Sequence, residues 1–255
     1  MNRSSVKIIK RNNPDITLYS TSGDDGHSVH QVIHILRAIR EHTDPGRPHV
    51  FLGSIETFDP RANHTPPTTI QTVVLKYSRT PAALVSLQHE YGFYSQQLAS
   101  FQGTVVPKCF GMFEGTVGIQ RIGCLILENC KETPLCSGIG NPIDAMTDKA
   151  EYVRKFMIAL CKVHDKGVIL NHSIDETHSV RQERDPRIID FSRASMHTCP
   201  GACPTPIPDS SGRVRILNNN GKLGCRELIA MEKESSKICE RVVIPPTRGR
   251  RLERS

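Results

Sequence analysis

The chain has 255 residues, enough for one domain of ordinary size or for two small lobes that share a cleft. Hydrophobic residues make up 37% of it and aromatic residues 5%, with no Trp, which is lean for a globular protein and predicts that part of the chain lies outside the core. Basic residues crowd both ends of the chain, whose net charge is +7, but no aromatic residue interleaves the arginines of the tail at 248–255, which argues against a stacking platform for nucleic acid.

The first 27 residues are polar and rich in turn formers, and we predict an N-terminal extension that is disordered apart from a short strand at VKII. No apolar run of signal-peptide length occurs in the first 30 residues, and no stretch approaches the roughly 18 apolar residues that a membrane span needs. We therefore expect an intracellular protein, cytoplasmic or nuclear, without a membrane partner.

The segment SVHQVIHILRAIREH carries apolar residues at helical spacing, which predicts an amphipathic helix. These residues are Val29, Val32, Ile33, Leu36 and Ile39. The following segments HVFLGSIETF and TIQTVVLKYS are typical of strands, and the second of them ends on Lys76. After Pro81 the spacing of apolar residues returns to three and four, which predicts a helix of about four turns with Glu90 near its middle.

Two apolar runs, VVPKCFGMFEG and RIGCLILENC, predict a pair of antiparallel strands. A second long helix is expected from Ala145 to a stop at Gly167, and the short β-rich pieces GVILN and PRIIDF then bracket a polar loop. Residues 197–222 are rich in Pro, Gly and Asn, which predicts loop or disorder, and a last helix is expected near 225–242.

The chain contains nine cysteines, an odd number, which in a chain without a predicted leader indicates reduced thiols. In HTCPGAC, the residues His197, Cys199 and Cys203 would make half of a metal site. No second pair with ligand spacing follows, and Cys225 and Cys239 stand alone, so the sequence does not favour a zinc site.

The predicted elements follow one another in this order: a strand with Lys76, a helix with Glu90, a strand pair, a long helix, a polar loop and a strand with Asp190. This order resembles that of the protein-kinase-like fold. The phrases VVLK, HEYGFY, VVPKCFGMF, CLILEN, VHDKGV and RIIDFSRA are similar to those of short kinase-like proteins common in fungi, over about residues 70–195.

The resemblance implies an α+β fold, a two-lobed protein-kinase-like domain with a truncated C-terminal lobe. Its kinase-like core would span residues 28–195. A loop-rich remnant of the lower lobe would follow at 196–247, and the basic tail would occupy 248–255.

The resemblance also implies a weak site for ATP and Mg²⁺. Lys76 would contact the phosphates and be held by Glu90. Asp190 would bind the metal ion that bridges the phosphates. The adenine edge would meet the backbone of a hinge at Leu127, Glu128 and Asn129.

Several positions depart from the pattern of active kinases. Ser173 stands at the position of the catalytic base, where its hydroxyl cannot accept a proton at neutral pH. His178 replaces the second metal ligand, although Mg²⁺ prefers oxygen ligands. Ser192 takes the place of the glycine after the metal-binding Asp, and of the glycine-rich lid over the phosphates only Gly53 is present.

These departures favour a degenerate kinase that binds ATP and acts by interaction with an unknown protein partner. One alternative is an active atypical phosphotransferase that uses Lys76, Glu90 and Asp190, with His172 or Asp175 as a displaced base. A further alternative is a basic adaptor whose arginine tail binds nucleic acid or an acidic partner.

Overall fold

The computed structural model describes residues 5–9, 15–21, 30–58, 69–130, 146–171, 179–182, 185–199, 205–208, 214–217, 225–231 and 233. Among these residues no helix combines the length and the apolar character needed to cross a bilayer. The polar loop with His172, Ser173, Asp175 and His178, the residue Cys203 and the tail at 248–255 lie outside the described residues.

Seven strands of the described chain form a closed barrel. They are β1 (Ser5–Ile9), β2 (Ile16–Ser20), β3 (His30–Arg40), β4 (His49–Phe58), β5 (Thr69–Tyr77), β6 (Cys109–Val117) and β7 (Gln120–Glu128). Their order around the barrel is β1-β2-β6-β7-β5-β4-β3. The prediction of a two-lobed, kinase-like α+β fold is therefore wrong, because the described chain is mostly sheet and its main sheet closes on itself.

The barrel closes through β1, which pairs antiparallel with β2 on one side and parallel with β3 on the other. All other neighbours in the ring pair antiparallel. Every strand sends buried apolar side chains to one interior cluster, among them Val6 of β1 and Leu18 of β2. The N-terminal segment, expected to be an extension with one short strand, thus supplies two strands of the barrel wall.

The helix predicted over SVHQVIHILRAIREH is wrong, since residues His30–Arg40 form β3. Register shifts between Ile35 and Arg37 and between Ala38 and Arg40 interrupt the pairing with β4. Ile33 and Ile35, two positions apart, both contribute to the barrel interior, which is the spacing of a strand. Leu36, which the helical pattern grouped with Ile33, is 58% exposed.

The helix predicted after Pro81 is confirmed as α1 (Pro81–Ser95). Pro81 stands at its start, where no intrahelical N–H bond is lost, and the side chain of Thr80 accepts a hydrogen bond from the Ala83 N–H at 3.1 Å. The helix packs on the outer surface of the barrel against β5, β6 and β7, and a 3₁₀ helix at Ala99–Phe101 follows it.

The second predicted long helix is confirmed as α2 (Met146–Asp165), and Gly167 follows its end with a left-handed φ of 71°. Six short strands form two-stranded sheets beyond it. They are β8 (Val168–Ile169), β9 (Ser179–Gln182), β10 (Asp185–Ile188), β11 (Ser195–Met196), β12 (Thr205–Pro208) and β13 (Val214–Leu217). The pairs are β8 with β11, β9 with β10 and β12 with β13.

The β12–β13 pair corrects the expectation that residues 197–222 contain only loop. The last predicted helix is present over 226–231, and its continuation past residue 233 lies outside the described chain. A second apolar core joins α1, α2 and this helical stretch to the outer face of β7, where Leu125 and Leu127 point away from the barrel interior.

Candidate functional site

Lys76 and Glu90 form a buried ion pair between the barrel and α1. In β5 the side chains alternate, so Leu75 fills the barrel interior and Lys76 points outward to the helix. Its Nζ donates to both carboxylate oxygens of Glu90, each at 2.8 Å. Glu90 is fully buried and the Lys76 side chain is 11% exposed, so little water reaches this pair.

Asp190 lies on the open side of the same ion pair. Its Oδ1 is 3.4 Å from Nζ of Lys76 and 3.3 Å from the backbone N–H of Ser192. The residue has a left-handed φ of 68°, unusual for a non-glycine residue, and lies two positions beyond the end of β10, outside the strand that the sequence predicted for it. The next backbone N–H, that of Phe191, donates to Glu90 at 3.2 Å. The Asp190 side chain is 32% exposed, so this carboxylate faces both the lysine and solvent.

The pKa values of this cluster follow from burial and from opposite charges at close range. Burial favours neutral Lys76, but Glu90 and Asp190 outweigh it and raise the pKa of the ammonium group. Burial raises the pKa of the Glu90 carboxyl group, and the charge of Lys76 only partly offsets that shift. Lys76 therefore stays charged at neutral pH.

The turn between β3 and β4 lies near Asp190, which the sequence did not indicate. The turn, residues 41–48, joins β3 to β4, and Thr80 at the start of α1 donates a hydrogen bond to its Pro45 carbonyl. Burial lowers the pKa of His42 in this turn, and the charges of Arg40 and Arg47 lower it further. The carboxylate of Asp190 acts in the opposite direction on the same imidazole. The turn and Asp190 are thus within electrostatic range of each other.

The three residues assigned to a hinge lie at and just after the end of β7. Leu127 is buried and pairs with Val74, whereas Lys76 pairs with Leu125 two positions away. Two residues along a strand span roughly 7 Å. Glu128 accepts a hydrogen bond from the Lys108 N–H at 2.9 Å, and Asn129 is half-buried. Leu127 therefore lies about two residues along the sheet from the strand position opposite Lys76.

The candidate bases His172 and Asp175 cannot be placed relative to this cluster, since they lie outside the described residues. The residue before them, Asn171, is fixed by its side chain. Its Nδ2 donates to the carbonyl of Arg193 at 3.1 Å and to the hydroxyl of Ser195 at 2.6 Å.

A second group of side chains was not predicted as a site. Ligand atoms of four residues lie within 4.8 Å of one another, and they belong to His164, His197, Cys199 and Cys225. The motif HTCPGAC contains His197 and Cys199, but His164 on α2 and Cys225 carry no spacing signal, being 61 residues apart. Burial lowers the pKa of His164, yet its hydrogen bonds to Cys225 and Glu227 outweigh burial and raise that pKa to about 9.

No protein-family model matches this chain, and no curated protein is significantly similar to it. The function is therefore inferred from the chemistry of the two sites.

Proposed function

We propose that this protein binds ATP together with Mg²⁺ at the cluster of Lys76, Glu90 and Asp190. We further propose that it acts by interaction with another protein more than by catalysis. One observation carries the proposal: three residues separated by up to 114 positions meet as an ammonium group between two carboxyl groups. The order of charges from buried to exposed is carboxylate, ammonium, carboxylate, which suits a phosphate and its metal ion.

Each member of the cluster has a distinct task in this proposal. Glu90 holds the Lys76 side chain through two hydrogen bonds, so the ammonium group is fixed before a ligand arrives. Lys76 then supplies positive charge to phosphate oxygens. Asp190, the most exposed of the three, supplies an oxygen ligand of the type that Mg²⁺ prefers.

Weak or absent phosphotransfer is proposed from the sequence, because Ser173 occupies the position that the resemblance assigns to the base. A protein that holds nucleotide without turning it over would use the bound state to favour one conformation for a partner. The partner is a protein of unknown identity.

Thermal unfolding with ATP, with and without Mg²⁺, tests the proposal. We expect Mg²⁺ and ATP together to raise the melting temperature of the wild type, with a stabilisation of about 2.7 kcal/mol at 100 times the Kd. Asp190→Asn should abolish the magnesium-dependent part. Asp185→Asn is the matched control, because Asp185 is an exposed carboxylate five positions earlier that pairs with Lys155 at 2.7 Å. This variant should bind like the wild type.

Equal shifts in the Asp190→Asn and Asp185→Asn proteins would contradict the assignment of the metal ligand. No shift in the wild type at millimolar nucleotide would contradict nucleotide binding itself. Turnover of radiolabelled ATP that is lost in Asp190→Asn would instead support the atypical phosphotransferase.

A further inference from the structure

The cluster between α2 and the helical stretch 226–231 has the composition of a structural zinc site. It offers two imidazoles and two thiols, and these are the ligand types that Zn²⁺ takes in closed tetrahedral sites. His164 and Cys225 are 1% and 3% exposed, and the other two ligands are half-buried. No other group of three or more potential ligands occurs among the residues that the structure describes.

The spacing of the ligand atoms suits zinc. With Zn–S and Zn–N bonds of about 2.3 and 2.05 Å, a tetrahedral site places a sulfur and a nitrogen about 3.6 Å apart. Nδ1 of His164 lies 3.4 Å from Sγ of Cys225, close to that edge. The remaining ligand atoms lie within 4.8 Å, so a small inward movement of side chains would complete the tetrahedron.

The imidazole of His164 is already oriented as a metal ligand would be. Its Nε2 is 2.7 Å from the Glu227 carboxylate, which leaves Nδ1 directed toward Cys225. Metal-binding histidines commonly donate their second ring N–H to a carboxylate, which fixes the ring and its tautomer. Glu227 is itself held by the backbone N–H groups of Leu170 and Asn171, at 3.1 and 2.8 Å.

His197 supplies a second, independent observation. Its Nε2 is buried and has no hydrogen-bond partner among the described residues. A buried polar atom without a partner destabilises the folded state, and a metal ion bound through this nitrogen would remove that cost. The backbone N–H of His197 donates to the Gly167 carbonyl at 2.7 Å, so the residue is held beside the end of α2.

We propose that this chain binds one structural zinc ion with four protein ligands, His164, His197, Cys199 and Cys225. A site closed by four protein ligands leaves no position for a substrate. The ion would instead join α2, the segment after β11 and the stretch 226–231. This zinc site shares no residue with the proposed nucleotide site, so either proposal can be wrong without affecting the other.

Metal content of the full-length protein, purified with reductant and supplied with Zn²⁺, tests the proposal. We expect one zinc per chain in the wild type and a loss of most of it in Cys225→Ser and Cys199→Ser. Cys161→Ala is the matched control, since Cys161 is a buried thiol one turn before His164 on α2. It should retain zinc at the level of the wild type.

Two measurements on the wild type keep the test valid if a ligand variant fails to fold. Replacement of zinc by Co²⁺ should give the visible spectrum of a tetrahedral ion with thiolate charge transfer. Metal should also protect Cys199 and Cys225, but not Cys109, from alkylation, as read by mass spectrometry. Zinc retained in both serine variants would overturn the proposal. So would a wild type that takes up neither metal while Cys225 is rapidly alkylated, which would indicate a reactive thiolate–imidazole pair.

Discussion

At the scale of single residues, the Lys76–Glu90 pair has an energetic cost that fixes its geometry. Glu90 has no exposed surface, and its carboxylate accepts hydrogen bonds from Lys76 and from the Phe191 N–H. A buried pair of this kind adds little net stability, because desolvation offsets the attraction, yet loss of one partner leaves a buried charge. The pair therefore restricts the conformations that this region can adopt.

Lys76→Met should destabilise the protein by about 3 kcal/mol, because Glu90 is then buried without its cation. The double variant Lys76→Met/Glu90→Gln should recover much of this loss, since the remaining amide is neutral. Urea denaturation of the wild type and both variants measures the difference. If the single and double variants had the same free energy of unfolding, the assumed charge on Glu90 would be wrong.

The raised pKa of Lys76 also sets a dependence on pH. A group whose pKa is higher in the folded state stabilises the fold below its unfolded pKa, here 10.5, and this contribution is lost as the pH rises through the folded value. We expect the free energy of unfolding to fall above pH 10.5. Lys76→Arg should show a smaller fall, because a guanidinium group keeps its charge there. Parallel curves for the two proteins would contradict this origin of the alkaline loss.

At the scale of elements, local patterns predicted the strands and helices near the site but failed where pairing is irregular. The helix after Pro81 has a regular spacing and a proline start, so the sequence suffices for it. In β3 the apolar residues Val32, Ile33 and Leu36 imitate the spacing of a helix, and only the pairing with β1 and β4 reveals the strand. Of the four proposed zinc ligands only His197 and Cys199 stand close in the sequence, since His164 and Cys225 meet them only in three dimensions.

Gly53 has a packing role in β4 that differs from the role in phosphate binding that the resemblance implied. In the resemblance it is the remnant of a phosphate lid, but in β4 a Cβ at this position would lie 2.7 Å from Leu75 Cδ1 and 3.0 Å from the His34 carbonyl oxygen. Its absent side chain thus allows the strands to pack closely.

We expect Gly53→Ala to cost about 1–3 kcal/mol in the free energy of unfolding, through overpacking of the barrel wall. Gly92→Ala is the control, because Gly92 lies in α1 with no atom within 4 Å of an added Cβ. That variant should stabilise the protein by up to about 1 kcal/mol, as alanine favours helix. Thermal and urea unfolding of the two variants would show changes of opposite sign, and a neutral Gly53→Ala would contradict the close packing.

At the scale of the whole molecule, the resemblance led to the wrong architecture, while three of the residues it singled out still came together. Lys76, Glu90 and Asp190 depend on β5, α1 and the turn after β10, which short phrases such as VVLK and RIIDFSRA mark well. Closure of the barrel depends on β1 meeting β3 edge to edge, which no periodicity in the sequence specifies. Composition suggested an extension outside the core, although Val6 and Leu18 of this segment are fully buried.

The role of the first strand can be tested by two adjacent substitutions. Val6 faces the barrel interior, whereas Lys7 faces outward with its side chain 46% exposed and pairs with Asp15. We expect Val6→Ser to cost about 2–3 kcal/mol and Lys7→Ser less than about 0.5 kcal/mol, measured by urea denaturation. Equal, small effects would mean that β1 is not part of the cooperative fold.

The pairing of β2 with β6 also has a consequence for the time course of biosynthesis. Thr21, just past β2, donates to the carbonyl of Met112 in β6, 91 residues later in the chain. At translation rates of roughly 5–20 residues per second, that partner emerges about 5–20 seconds after the strand that needs it. During this interval β2 has an unpaired edge, which is the kind of surface that chaperones shield and that other nascent chains can join. The edge of β2 that pairs with β6 in the folded protein thus stays unpaired in the growing chain until β6 has left the ribosome.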